Sequence, residues 1–306
     1  MAEPGASGPV DDLTRRYDYA RLVAEEREHY GRVEVTATLD EGGVHAHASW
    51  QHYWRRVEEA MRAAGGADLV TAIAAERPLR VLSLGSGYCG RELALAALFP
   101  AGTSITCTDV NPALFDRARA AADAKGLDLR FREADMNFLE IEPAAWDLVI
   151  AQASLHHVIN LERLFAQVAR GLAPGGRFHV VEVIGRNRRL LWPANARFAN
   201  RALRLVPRAI VGFARVRTPL RVHGMEGIRQ EEIVPLLHRT FVPVFEHRHG
   251  AFMRFVCTHP RLGKRLDPGD AVRRRYLDLL IDVDRAAVAN GILRPLELWG
   301  IYRAPG

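Results

Sequence analysis

The chain has 306 residues, of which 48% are hydrophobic and 25% are charged, and its formal net charge is +6. These proportions are those of an ordinary globular protein, and they exclude collagen-like and intrinsically disordered classes. No run of about 18 consecutive apolar residues occurs, which argues against a membrane-spanning helix. The modest positive charge permits an anionic partner without requiring one.

The N-terminal part of the chain predicts a tail followed by helices. Residues 1–12 are rich in Gly, Pro and Ala and predict a disordered tail. Apolar residues recur at helical spacing over 13–30 and again over 45–61. His45, His47 and His52 lie in this stretch, but no carboxylate or cysteine completes a ligand set. We therefore interpret them as helix-surface or pocket-lining residues.

From Leu79 onward, apolar strand patterns alternate with helical ones, which is typical of a parallel sheet with crossover helices. Farther along, Val242–Arg248 and Phe252–Cys257 flank a turn at His249–Gly250 and predict an antiparallel hairpin. We expect an α/β fold: a doubly wound, mostly parallel seven-stranded sheet with an antiparallel C-terminal hairpin and helical cap segments. The strands of the parallel part are predicted at 79–84, 103–108, 128–133, 146–151 and 177–183.

The segment between Arg186 and Arg221 has ten arginines and no acidic residue. Four of the arginines share one predicted helical ridge, and an apolar face that includes Phe198 and Leu205 lies beside it. Such a helix suits an anionic membrane surface or a phosphate-bearing substrate, and a solvated face covering the active site is the alternative. The ridge consists of Arg197, Arg201, Arg204 and Arg208.

These patterns divide the chain into a core and its caps. The predicted cofactor-binding core covers 77–185, and the final strands of its sheet cover 233–258. The caps are an N-terminal helical segment, an arginine-rich insertion and a C-terminal helical segment. They cover 13–76, 186–232 and 259–306 respectively.

Three glycines mark the turn after the first predicted strand. Gly85, Gly87 and Gly90 have G-x-G-x-x-G spacing between that strand and the next predicted helix. Glycine allows a tight turn and a close approach of a ligand to the backbone, so the pattern predicts a nucleotide-binding corner. NAD, FAD and S-adenosylmethionine sites all use it, so the turn alone does not choose among them.

The ends of the next two predicted strands carry acidic residues. Asp109 lies about 20 residues beyond the glycine turn, where a carboxylate accepts ribose hydroxyls, although a helix cap is the alternative. Asp135 could accept the exocyclic amine of an adenine while Met136 packs on the ring; a solvated loop acid is the alternative. Because the carboxyl ends of parallel strands form one edge, we expect these residues to lie around one ligand.

Five segments in order resemble the class I S-adenosylmethionine-dependent methyltransferases. They are Leu-Gly-Ser-Gly-Tyr-Cys-Gly, Thr-Asp-Val-Asn-Pro, Glu-Ala-Asp-Met-Asn, Trp-Asp-Leu-Val-Ile-Ala-Gln-Ala-Ser-Leu-His-His-Val and Leu-Ala-Pro-Gly-Gly-Arg-Phe. The exit from the fifth strand is similar to a bacterial branch associated with glycan or natural-product biosynthesis. One position departs from the family, because Ser83 stands where an acidic residue usually holds the amino-acid end of the cofactor.

The resemblance implies S-adenosyl-L-methionine as cofactor and assigns residues to its parts. Gly85, Ser86 and Gly87 would line the methionine portion. Asp109 and Val110 would bracket the ribose and adenine. The remaining contacts would come from Asp135 and Met136 at the adenine and from Gln152 beside the sulfonium.

Three residues near the same edge are candidates for the base that would deprotonate an acceptor. His156 and His157 follow the fourth predicted strand, and Glu182 ends the fifth. The alternative is structural: the histidines cap the following helix, and Glu182 bonds backbone. His223 and His249 are outside candidates from the cap.

The cysteines carry no such signal. Cys89, Cys107 and Cys257 are odd in number, far apart and set in or beside apolar runs. We interpret them as reduced core or pocket residues of a cytoplasmic protein, and we predict no metal site.

Together these features predict methyl transfer to O or N of a small molecule, a sugar-bearing or other specialised metabolite, in a capped pocket. RNA or protein methylation is an alternative because of the arginine-rich segment, but no nucleic-acid module accompanies it. A non-catalytic S-adenosylmethionine-binding protein is another, because of Ser83. The expected partner is a small-molecule acceptor and not a nucleic acid; contact with an anionic membrane or a lipid-linked substrate, and a homodimer, stay open.

Overall fold

A computed structural model of the chain describes residues 17–32, 47–66, 77–189, 191–218 and 224–306. The predicted tail, His45 and His223 lie outside the described residues, as does the start of the first predicted helix. No helix in the described ranges combines the length and apolar character that a membrane span needs.

Seven strands form one sheet in the order β3-β2-β1-β4-β5-β7-β6. Strands β1 to β5 pair in parallel, and β7 pairs antiparallel with both β5 and β6. The strand order reverses between β1 and β4, which is where ligands bind in open sheets of this kind. The strands are β1 Arg80–Leu84, β2 Ser104–Asp109, β3 Leu129–Glu133, β4 Trp146–Gln152, β5 Leu172–Val183, β6 Val242–His249 and β7 Glu297–Arg303.

Helices cover both faces of the sheet and build the caps. The helices before β5 are α1 Tyr19–Arg32, α2 Ala48–Ala63, α3 Gly90–Ala96, α4 Phe115–Lys125 and α5 Leu161–Gly171. Those after it are α6 Pro193–Ala202, α7 Arg208–Val211, α8 Gln230–Thr240, α9 Met253–Cys257, α10 Leu262–Arg265 and α11 Ala271–Ala289. Short 3₁₀ turns at Pro112–Leu114, Leu155–His157, Asn187–Arg189 and Leu203–Leu205 join some of these elements.

The alternation of strand residues explains the doubly wound core. Val81 and Ile150 face one layer, where they pack with Phe115 of α4. Their neighbours Leu82 and Val149 face the opposite layer and pack with α5. Because successive side chains of a strand point to opposite faces, continuous apolar strands need helices on both sides. The predicted fold class is confirmed.

The predicted hairpin is wrong in its second strand. Residues 253–257 form helix α9, and β6 pairs instead with β7, which lies far along the chain. The reason is a tertiary cap: the Asp284 carboxylate of α11 accepts the N–H groups of Ala251, Phe252 and Met253 at 3.0, 2.6 and 3.2 Å. These bonds satisfy the free N–H groups of a helix start, so an apolar run becomes helical.

The predicted arginine ridge is divided among three elements, because a 3₁₀ turn at Leu203–Leu205 follows helix α6. Helix α6 ends at Ala202, and Pro207 precedes the separate helix α7. The predicted apolar face therefore does not continue to Leu205, whose side chain is 54% exposed.

The two N-terminal helices pack in different places. Trp50, Tyr53 and Val57 of α2 join a core with α9 and α11. Leu22 of α1 instead packs with Ile159 and with residues of the turn that precedes α8. Helix α1 is thereby held against the carboxyl-end edge of the sheet.

Candidate active site

A cavity of about 270 Å³ opens at the carboxyl ends of the parallel strands. All eight predicted cofactor residues line it, and so do Glu26 and Arg27 of α1, Ser154, His157 and Met225. The eight are Gly85, Ser86, Gly87, Asp109, Val110, Asp135, Met136 and Gln152.

The glycine turn after β1 forms one wall. Gly85 has φ +60°, and a Cβ there would lie 2.7 Å from Cβ of Ser154. Gly87 has φ +53°, but a Cβ there would meet no atom within 4 Å among the described residues. Both backbones need glycine for their conformation. The open space beside Gly87 leaves room for a ligand to approach the main chain.

Asp109 connects the end of β2 to the glycine turn. Its carboxylate accepts the N–H of Gly87 and the N–H of Asn111, each at 2.9 Å. Burial raises the pKa of Asp109, while the two backbone N–H groups oppose that shift. The residue that caps the next helical turn is Asn111, whose side chain accepts the N–H of Ala113. A carboxylate has about four lone-pair sites, so Asp109 retains acceptor capacity on the cavity side.

Asp135 follows β3 and also lines the cavity, where side chains of α1 and of its own loop hold it. The Tyr19 hydroxyl donates a hydrogen bond to the Asp135 carboxylate. The N–H and the side-chain amide of Asn137 also donate to this carboxylate, at 2.9 and 3.1 Å. The pKa of Tyr19 is raised because its hydroxyl is buried and bonds the carboxylate. Tyr19 was not among the predicted site residues, since nothing in its local sequence points to β3.

Two polar atoms of the cavity wall lack partners. Oε1 of Gln152 and Oγ of Ser154 are buried, and neither has a hydrogen-bond partner within the described residues. A buried polar atom without a partner costs about 1–3 kcal/mol, which a ligand group can recover. The wall thus fits a ligand that brings donors and acceptors together with an apolar ring, as S-adenosyl-L-methionine does.

The folded chain places a carboxylate next to Ser83. The Ser83 hydroxyl donates to Glu92 of α3 at 2.5 Å, and both side chains are buried. Burial raises the pKa of Glu92, and the bond from Ser83 opposes the shift. The family usually has an acidic residue at the position of Ser83. In this chain Glu92, nine residues later, places a carboxylate next to Ser83. Glu92 does not line the cavity; it lies behind the glycine turn.

Five side chains form what we call the histidine–carboxylate cluster, at the end of β4 next to the cavity: Glu26, His156, His157, Glu182 and Glu226. Nδ1 of His156 lies 2.5 Å from Glu182, and Nδ1 of His157 lies 2.6 Å from Glu26. Nε2 of both histidines faces Glu226, at 3.3 Å from His156 and 3.4 Å from His157. The cluster joins β4, β5, α1 and the turn before α8.

The predicted catalytic residues differ in their access to the cavity. His157 lines it, whereas His156 and Glu182 are buried behind it. Glu182 also accepts the N–H groups of Leu155 and Val183 at 2.7 and 2.6 Å. Burial alone would lower the pKa of His156, but the Glu182 and Glu226 carboxylates raise it to about 9. In this state His156 carries a proton near neutral pH and does not accept another.

Glu26 and Glu226 were not among the predicted site residues. Glu26 is one of several acidic residues in α1, and Glu226 follows Met225 in an irregular turn. No spacing rule links either of them to the histidine pair, so their role follows only from the fold.

The remaining histidine candidates lie elsewhere. His249 is buried beside Tyr53 and Glu297, where burial lowers its pKa to about 4. Nδ1 of His47 lies 3.0 Å from the carbonyl oxygen of Cys257, and Nε2 of His52 lies 2.7 Å from Asp278. These histidines do not line the cavity.

The cysteines lie in the core as predicted. Cys89, Cys107 and Cys257 are all buried, and none forms a disulfide.

Part of the chain is similar to known proteins. Residues 81–176 match a methyltransferase domain family. A demethylmenaquinone methyltransferase of Thermus thermophilus is 34% identical over 105 residues, which cover 34% of this chain and 47% of that protein. A lovastatin nonaketide synthase of Monascus pilosus is 32% identical over 129 residues, covering 39% of this chain and 4% of that protein.

The chain thus spans less than half the length of these curated relatives. A solved S-adenosylmethionine-dependent methyltransferase from Mesorhizobium loti shares 16% identity with a TM-score of 0.44, covering 85% of this chain and 100% of that one. The family match covers β1 to the start of β5, the part of the sheet that carries the five motifs and the glycine turn. Residues 81–176 of this chain are thus similar to a methyltransferase domain, and they form the part of the seven-stranded sheet that carries the glycine turn.

Proposed function

We propose that this chain transfers a methyl group from S-adenosyl-L-methionine to an oxygen or nitrogen atom of a small molecule. One observation carries the proposal: the eight predicted cofactor residues and His157 line a single cavity at the reversal of strand order. A cofactor held by the first set brings its reactive end toward the β4 edge, where the histidine–carboxylate cluster lies.

The cofactor supplies an electrophilic methyl group on a sulfonium, so the protein chiefly aligns the reactants and excludes water. In the proposed arrangement, the glycine turn and Ser86 receive the amino-acid end. Asp109 accepts the ribose hydroxyls, and Asp135 accepts the adenine amine beside Met136. Gln152 and Ser154, with their unpartnered oxygens, face polar groups of the bound pair.

We assign activation of the acceptor to the side of the cavity next to the histidine–carboxylate cluster. An oxygen nucleophile reacts faster when a neighbouring group removes or stabilises its proton. His157 faces the cavity, while Glu26 and Glu226 fix its ring. We assign His156 and Glu182 positioning roles, since they hold the 155–157 turn from behind through buried bonds.

A small acceptor suits the covering of the cavity. Glu26 and Arg27 of α1 and Met225 of the following cap form part of its wall. The Arg27 guanidinium donates to the carbonyl oxygen of Val110 at 3.1 Å and so ties α1 to the rim. This covering favours a specialised metabolite over an RNA or a protein. The relatives include a polyketide synthase, and a natural-product acceptor is the class that we propose.

A second surface favours contact with an anionic membrane or a lipid-linked acceptor. An open groove along α6 and α7 is lined by five arginines, and the Phe213 side chain beside them is 87% exposed. Arginine with an exposed aromatic residue suits the interface of an anionic bilayer. Vesicles with anionic lipid should bind the protein at low salt and release it at high salt, and Phe213→Ser should weaken binding. Absence of binding at low salt would remove this part of the proposal. The arginines are Arg197, Arg201, Arg204, Arg208 and Arg215.

The main proposal is tested by calorimetric titration with S-adenosyl-L-methionine, with NAD in parallel. We expect binding of the methyl donor alone and a loss of about tenfold to a hundredfold in affinity for Asp109→Ala, because a charged acceptor contributes about 1.5–3 kcal/mol. Asp123→Ala is the matched control, since Asp123 is an exposed carboxylate of α4. Methyl transfer from labelled donor to a panel of hydroxyl and amine acceptors then tests the reaction. A folded protein that binds no donor would refute the proposal.

A further inference from the structure

We propose that His156, His157 and Glu226 form a binding site for one divalent transition-metal ion at the wall of the cavity. One ligand atom from each of the three residues lies within 4.8 Å of the others. An ion with nitrogen and oxygen ligands at about 2.0–2.1 Å in a tetrahedron separates neighbouring ligand atoms by about 3.4 Å. Oε1 of Glu226 lies 3.3 Å from Nε2 of His156, and Oε2 of Glu226 lies 3.4 Å from Nε2 of His157, so each ring has one carboxylate oxygen at about that separation.

The outer partners of the histidines support the assignment independently. Metal-ligating histidines usually donate their second ring N–H to a carboxylate, which fixes the tautomer and the ring orientation. Here Nδ1 of His156 contacts Glu182 at 2.5 Å, and Nδ1 of His157 contacts Glu26 at 2.6 Å. The contact of His156 with Glu182 has hydrogen-bond geometry, that of His157 with Glu26 is an ion-pair contact, and Nε2 of each ring faces the Glu226 carboxylate.

The charge of the cluster also suits a cation. Three carboxylates and two imidazoles meet there, and each of the five side chains is at most 13% exposed. An ion bound at Nε2 displaces the proton that His156 otherwise carries, and without that proton the cluster has a formal charge of −3, which is costly for groups removed from water. A divalent ion brings that charge to −1. Two imidazoles with one carboxylate suit zinc, iron, cobalt or nickel better than magnesium or calcium.

No local spacing of residues in the sequence signals this metal site. His156 and His157 are neighbours, but the third ligand comes from Glu226, and the outer carboxylates come from α1 and β5. Only the fold brings these segments to one place.

The proposed catalytic use of the ion rests on the proposed function, whereas the binding site does not. Three protein ligands leave coordination positions free, and His157 borders the cavity. An acceptor hydroxyl that coordinates there releases its proton to water more easily, since the cation stabilises the oxyanion. Transfer then forms the new O–CH₃ bond as the S–CH₃ bond breaks, leaving S-adenosylhomocysteine.

The test is titration of the full, metal-stripped chain with Co²⁺, followed by absorption spectroscopy, and with Zn²⁺, followed by calorimetry. We expect one equivalent of each ion and a cobalt spectrum of low coordination number. Glu226→Gln should weaken binding at least tenfold, because the neutral amide is a poorer ligand. His238→Gln is the matched control: this exposed histidine lies 2.7 Å from Glu246 and should have no effect.

A second variant keeps all three ligands in place. Glu26→Gln removes the charge of an outer partner of His157 and keeps a side-chain oxygen for the N–H of Met225, which Glu26 accepts at 3.1 Å; we expect a loss of about tenfold to a hundredfold in affinity. Circular dichroism and donor titration of each variant check that the fold and the cofactor site persist. If the folded wild type binds neither ion, or if Glu226→Gln binds as tightly as the wild type, the cluster is an ion-pair network and the metal site is refuted. Donor binding without metal binding leaves the proposed function standing, so the two failures are distinguishable.

Discussion

The two sides of the cavity are built in different ways. The glycine-turn side uses main-chain N–H groups and small residues, and the Asp109 carboxylate there is bonded to the backbone of its neighbours. The cluster side uses charged side chains from α1, β4, β5 and the turn before α8, bonded to one another. A ligand on the first side meets a rigid surface set by backbone conformation. A ligand on the second side contacts ionisable side chains, and its own charge can change their protonation.

From this contrast we expect the glycine-turn side to bind the cofactor and the cluster side to act on the reacting group. Backbone groups at fixed positions suit a cofactor that is the same in every turnover. Paired charges suit a reacting group whose protonation state changes during the reaction. Mutations on the two sides should therefore separate binding from turnover.

The largest expected effect is on the cluster side. We expect His157→Gln to lower kcat by about 10²–10⁴-fold, the usual contribution of a group that handles a proton. Donor affinity should stay within about twofold, because the glycine turn is untouched. Steady-state kinetics with the acceptor found in the panel, together with donor titration, measure both. If the variant lost donor affinity and kept its kcat, the proposed separation of cofactor binding from turnover would be refuted.

On the opposite side, Gly85→Ala should lower donor affinity and stability together. The added Cβ would lie 2.7 Å from Cβ of Ser154, and the backbone has a positive φ. Strain of this kind costs about 1–3 kcal/mol. Thermal unfolding and donor titration measure the two effects. Gly126→Ala is the control for conformation alone: its φ is +63°, and its Cβ would meet no atom within 4 Å among the described residues. Equal effects of the two variants would show that crowding at Gly85 does not matter.

A third variant tests whether Glu92 takes the place of the acidic residue that the family usually has at position 83. Glu92→Gln keeps the shape and an acceptor for the Ser83 hydroxyl while removing the negative charge. We expect donor affinity to fall by about tenfold or less, since roughly 1 kcal/mol separates a charged from a neutral hydrogen-bond acceptor. Ser83→Ala, which removes the bond but keeps the charge, is the companion. Unchanged affinity in Glu92→Gln would assign this carboxylate to the fold alone.

The residues predictable from sequence are those whose role is local. Gly85 and Gly87 follow a strand pattern and precede a helix, so backbone geometry alone marks them. Asp109 and Asp135 end strands of a parallel sheet, and the fold rule puts their side chains at one edge. The strands β1 to β5 are predictable for the same reason, since each has an apolar or alternating strand pattern bounded by turns.

The residues that escaped prediction depend on contacts between distant segments. Helix α9 was predicted as a strand because its apolar run is ambiguous until Asp284 of α11 caps it. Glu226 and Glu26 reach the histidines only after α1 and the turn before α8 have docked on the sheet. Such contacts have no period or spacing in the chain, so no local pattern could have signalled them.

The smallest expected effect concerns Tyr19, which joins α1 to the adenine side of the cavity. Its hydroxyl donates to Asp135 and accepts from the side-chain amide of Asn137 at 3.1 Å. Tyr19→Phe frees one acceptor site on Asp135 and loosens α1, and these changes act in opposite directions on donor affinity. We expect a net change of no more than about threefold, from bonds worth about 1 kcal/mol each, and a faster dissociation rate in stopped-flow measurements. Tyr17→Phe, two residues earlier and outside the cavity wall, is the control. A loss of tenfold or more would mean that α1 belongs to the cofactor side of the site and not merely to its cover.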